Sequence, residues 1–107
     1  MIEVIYYRDK HRLTVTGHAK SGEMGYDLVC AAVSALVLTL ASNAENIAAN
    51  KDTENHTIHI ASGNAEIICN PSEKMEGVVS LMFETICTGF ELLQKLYPEN
   101  ISYWVIG

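Results

Sequence analysis

Met1 to Tyr7 alternates in the manner of a strand, and Arg12 to His18 repeats the pattern. The second run places Arg12, Thr14, Thr16 and His18 on one side and Leu13, Val15 and Gly17 on the other. Arg8-Asp9-Lys10-His11 between them predicts a polar turn, and with it an opening hairpin. From Asp27 to about Asn50 the period changes. Ala and Leu dominate, Pro and Gly are absent, and Gly25 upstream breaks any earlier helix, so a long first helix is predicted. Thr57-Ile58-His59-Ile60 and Ala65-Glu66-Ile67-Ile68-Cys69 then flank Ser62-Gly63-Asn64, a second hairpin with glycine suited to its turn. Asn70-Pro71-Ser72-Glu73 reads as the start of a second helix, with Asn70 as cap, Pro71 at the first helical position and Glu73 closing a capping box. Met75, Val79, Met82, Ile86, Phe90 and Leu93 recur at helical spacing as a core stripe, and Pro98 ends the helix. Ile101 to Ile106 supplies a last strand. The result is an α+β chain of order β-β-α-β-β-α-β, with a mainly antiparallel sheet and two long helices.

A chain of 107 residues, 49% of them hydrophobic, fits a single domain over 1–107 with one core. The first residues lack the basic start and apolar run of a signal peptide. Ser34, Thr39, Ser42, Asn43 and Glu45 interrupt the first helix too early for a membrane span, so the protein is expected in the cytoplasm. Its three cysteines are then expected to stay reduced, with Cys69 and Cys87 as core residues. No Cys-x-x-Cys occurs, and His56 and His59 fall on opposite faces of a strand-like run; neither metal nor cofactor is expected. A net charge of −6 argues against nucleic acid as a partner. It suits a basic protein partner, or simply solubility.

The candidate chemistry lies in His18 and Cys30, twelve positions apart where strand gives way to helix. In the first turn of a helix, N–H groups lack partners and the backbone carries partial positive charge, which favours a thiolate. An imidazole beside a thiolate is the usual arrangement for a cysteine nucleophile. At 100° per residue, Asp27, Cys30 and Ser34 share a sector of about 60°, a polar stripe on an apolar helix. The competing reading is a surface histidine and a small buried cysteine.

Gly17-His18-Ala19 followed by Asp27-Leu28-Val29-Cys30-Ala31-Ala32-Val33-Ser34-Ala35-Leu36 closely resembles the paired motifs of the bacterial ribosomal-processing cysteine proteases. Both motifs, their order and the glycine-containing gap agree, with Leu28 where Ile is common. The resemblance implies an endopeptidase that removes a short N-terminal extension from the twenty-seventh protein of the large ribosomal subunit, with Cys30 as nucleophile and His18 as general base. Asp27 and Ser34 match supporting positions. Asp27 either caps the helix or orients His18, and Ser34 bonds either within the site or back to the carbonyl of Cys30. The connector carrying Gly22, Met24, Gly25 and Tyr26 is either an ordinary flexible connection or, as the resemblance implies, a segment that binds substrate and closes over it. The resemblance also implies a homodimer. The first helix has too little polar surface to be exposed on any side, so burial against sheet or partner is expected. Tyr6, Tyr7 and Trp104 are either peptide-groove residues or plain core. A non-catalytic ribosome-associated binding module and a redox-responsive thiol protein are the alternative functions.

Overall fold

Strand β1 (Ile2–Tyr7) buries Ile2, Val4 and Tyr6 and leaves Glu3, Ile5 and Tyr7 wholly or partly open, as its alternation predicts. A single 3₁₀ turn over Arg8–Lys10, closed by His11 at φ +47°, leads into β2 (Arg12–Thr16), antiparallel to β1. Helix α1 (Tyr26–Ala49), β3 (Thr53–Ala61), β4 (Asn64–Pro71), α2 (Glu76–Leu96) and β5 (Ile101–Ile106) complete the expected order. The computed structural model describes residues 1–18 and 26–107, and the side chains among them apart from those of Tyr26 and Asp27. In space the strands run β3-β4-β2-β1-β5. Every pairing is antiparallel except that of β1 with β5, where Ile2 faces Ile101 and Tyr7 faces Ile106 in parallel register.

Both helices pack on one face of this sheet. Val29, Val33, Val37, Leu40 and Ala44 form the buried stripe of α1, and Val79, Phe83, Ile86, Cys87 and Phe90 that of α2. They meet the inward side chains of β1, β2 and β4. Tyr6 stacks on Phe83 with ring centroids 5.3 Å apart. Gly89 lets the two helices approach closely, since a carbon added there would stand 2.8 Å from Cδ2 of Leu36. Among the described residues no helix covers the outer face of the sheet: Trp104 is 61% exposed there, and Arg12 lies over the Tyr7 ring and pairs with Glu66 at 2.7 Å.

One expectation is corrected. The capping box does not form. Asn70 and Pro71 are the last residues of β4, paired with Asn55 and Thr53, and the Asn70 amide donates to Oδ1 of Asn55 at 2.6 Å. The chain then passes through a 3₁₀ turn at Glu73–Met75 before α2 begins. Strand pairing has claimed the residues whose local signal pointed to a helix start. Within the single chain, α1 is buried along its sheet-facing stripe and open on another side. Leu28 and Leu38 are exposed, and Ala31, Ala35, Ser42 and Asn43 share the open side. Leu28–Ala49 has a mean hydropathy of 1.7 and is, by length and composition alone, apolar enough to cross a membrane, a test that the core helix of a soluble protein also passes. Its alanines outweigh the five polar residues, and its buried stripe packs into the core.

Candidate active site

The alternation of β2 would put His18 on the outer face of the sheet, opposite the helices. Pairing stops at Thr16, however, and Gly17 has φ +91°, a conformation side chains resist. The pleat is broken there, and His18 lines the same cleft as Cys30. Gly17 N–H donates to the carbonyl of Gly63 at 3.0 Å. The carbonyl of His18 accepts from the amino nitrogen of Met1 at 2.8 Å. The segment bearing the imidazole is thus held from both sides.

Cys30 is the fifth residue of α1, so it stands where the first turn passes into the second, a little deeper than a helix starting at Asp27 implies. It is half-buried against the core, with a free thiol. Ser34, one turn on, is exposed and also faces the cleft, so two of the three members of the polar stripe meet there. The cleft encloses about 300 Å³. Val33, Val37 and Leu38 from α1 and Ile60 from β3 give it aliphatic walls, while Ser62 and Asn64 supply polar groups from the hairpin turn. Of the charged or titratable side chains, only His18 and Cys30 are among its described lining residues.

Gly22, Met24 and Gly25 lie outside the described residues, as do the side chains of Tyr26 and Asp27. Tyr6 is buried in the core and is not a groove residue; Tyr7 and Trp104 belong to the sheet's outer side. The other two thiols are core groups. Burial raises the pKa of Cys69, and burial pushes Cys87 up to about 11 although a hydrogen bond to Tyr103 opposes the shift. His56 pairs with Cys69 and His59 with Glu66, confirming opposite faces. Among the described residues no cluster of His, Cys, Asp and Glu could hold a metal ion. Sequence reasoning missed the β3–β4 turn as part of the site. Its Ser-Gly-Asn signal marks a turn but carries nothing about which distant strand end it meets.

Against known proteins, residues 1–102 match the family model described as cysteine protease Prp. A comparison with curated protein sequences finds no match. Among solved structures, SMU.848 from Streptococcus mutans is similar over 98% of this chain and 91% of its own, with 27% identity and a TM-score of 0.65. The essential ribosomal processing protease Prp from S. aureus, bound to a covalently linked product peptide, is similar over 97% of this chain and 96% of its own, at 22% identity and a TM-score of 0.66. The same protease with a substrate peptide gives 20% identity, the same coverage and a TM-score of 0.61. At those last identities the likeness is one of fold.

Proposed function

We propose, from the premise that this chain belongs to the Prp family of cysteine proteases and is a cysteine protease, that Cys30 is its nucleophile and His18 its general base. The observation carrying this assignment is that both side chains line one cleft. His18 takes the thiol proton, and the Cys30 sulfur attacks the scissile carbonyl. The imidazolium then returns the proton to the leaving amine, and water hydrolyses the thioester, with the imidazole again accepting a proton. Ser34 supports the site from one turn along α1, and Asp27 either caps that helix or orients His18.

The substrate we assign is the N-terminal extension of a large-subunit ribosomal protein, the twenty-seventh. Support comes from the description of the S. aureus relative as a ribosomal processing protease. The aliphatic cleft walls suit an apolar side chain of such a peptide. The connector with Gly22, Met24, Gly25 and Tyr26 is assigned to substrate binding by its place between the two motifs. The protein is placed in the cytoplasm, where that substrate is made, and acts as a homodimer. Exposed Leu28 and Leu38 on α1, with Val78, Leu81 and Leu92 on α2, give a second copy an apolar surface to cover. No direct contact with nucleic acid and no cofactor is part of this reading.

Incubation with the extended ribosomal protein, followed by mass spectrometry, tests it. The unmodified enzyme should release the extension, Cys30→Ala should not, and His18→Ala should be slower by about 10²- to 10⁴-fold. Cleavage by Cys30→Ala at the unmodified rate would reject the assignment, as would no cleavage by the unmodified enzyme.

A further inference from the structure

The turn between β3 and β4 comes from a distant part of the chain, and what Gly63 lacks is what lets His18 lie where it does. The first carbon of any side chain placed at Gly63 would stand 2.7 Å from Cε1 of His18 and 3.1 Å from Cδ2, and closer still to Nε2. Those three atoms are the outer edge of the ring. The imidazole is therefore seated on bare backbone. Gly63 also has φ +72°, which a side chain resists independently of the contact. The seat is fixed relative to the ring. Ala61 pairs with Asn64 across the turn, and the Gly63 carbonyl accepts from Gly17, the residue that precedes His18.

We propose that Gly63 is a positioning residue for catalysis: its missing side chain forms the seat that keeps the His18 imidazole in the cleft with Cys30. The inference rests on the reading of His18 as base and Cys30 as nucleophile. A general base works only within about 2.6–3.2 Å of the proton it takes. Restoring an ordinary carbon contact of about 3.5 Å to an added carbon would move Cε1 by about 0.8 Å, the difference from 2.7 Å. A misplacement on the order of 1 Å can cost about 10²-fold in rate.

The test uses the full chain, with thermal unfolding and circular dichroism to verify the fold of each variant. Two readouts are followed: cleavage of the extended ribosomal protein, and the rate of Cys30 alkylation by iodoacetamide near neutral pH. Gly63→Ala should lower kcat/KM by about 10²-fold. Gly63→Asn should do nearly the same, because asparagine tolerates positive φ but still carries the offending carbon. In a His18→Ala background, Gly63→Ala should change the alkylation rate by less than about twofold, since its effect runs through the ring now absent. Unimpaired cleavage by Gly63→Ala overturns the proposal. So does full recovery in Gly63→Asn, or an additive effect in the double variant, either of which makes the residue one of turn stability alone. Retained cleavage by Cys30→Ala would instead overturn the nucleophile assignment, and this inference with it.

Discussion

Replacing Gly17 by alanine tests how the histidine segment is built. The residue has φ +91°, and an added carbon would overlap the carbonyl oxygen of Met1 and lie 3.4 Å from its carbonyl carbon. Both obstacles are backbone, so no side chain can rotate out of the way. Holding a side-chain-bearing residue at positive φ costs about 1–3 kcal/mol. Relieving the overlap shifts the start of β1 or the end of β2, which threatens the bonds from Gly17 to Gly63 and from Ile2 to Asn100, at 3.0 and 2.9 Å. Each such bond is worth about 0.5–1.5 kcal/mol net. In the other direction, alanine restricts the unfolded chain and recovers about 0.4–1 kcal/mol. The unfavourable effects win, for a loss of about 1–3 kcal/mol. Urea unfolding followed by circular dichroism should show a lower midpoint with an unchanged slope. Gly17→Asn should recover only the part owed to φ, since it retains the overlapping carbon. An unchanged midpoint in the alanine variant would refute the argument. An asparagine variant as stable as the parent would refute its steric half.

Two further predictions concern stability. Lys51 lies just past α1 at φ +59°, with Asp52 N–H donating to the Ile47 carbonyl at 3.2 Å and Lys51 N–H to that of Ala48 at 2.9 Å, a glycine-type helix end occupied by lysine. Lys51→Gly should stabilise the fold by about 0.5–1 kcal/mol, the left-handed cost less the entropy of glycine; a lower unfolding midpoint would contradict this. Cys87 releases its proton near 9.0 in the unfolded chain and near 11 in the folded one, because burial disfavours the thiolate. The folded state holds that proton more tightly, so its contribution is full below pH 9 and is lost as pH rises toward 11. By pH 10 the loss should reach about 1.4 kcal/mol. Unfolding free energies compared between pH 8 and pH 10 should therefore fall less steeply in Cys87→Ala, and an equal fall in both proteins would sink the assignment.

Strands and helices were legible wherever one period ran long enough. The alternation of β1 and β2, the alanine-rich run of α1 and the stripe through Val79, Ile86 and Phe90 all appear where the sequence puts them. Asn70 to Glu73 was misread because a capping signal is local, whereas the pairing of Asn70 with Asn55 is not. His18 shows a similar limit. Period two assigns it to the wrong side of the sheet, and only the φ of Gly17 takes it to the cleft. The motif pair identified the family, but the turn at Gly63 was invisible as part of the site because no short-range pattern records its encounter with His18. How α1 divides between its sheet-facing and open sides was not legible either, because alanine and leucine are equally compatible with a core and with an uncovered face.

β1 lies between β2 and the edge strand β5, so strands formed by residues far apart in sequence lie side by side there. A nascent chain emerging from the ribosome can assemble the hairpins and both helices, yet it cannot close the sheet beside Ile2 until Ile101 has been synthesised and released. The strand that anchors the histidine side of the cleft stays half-paired until then. The histidine side of the cleft is thus completed by a strand made long after the histidine itself.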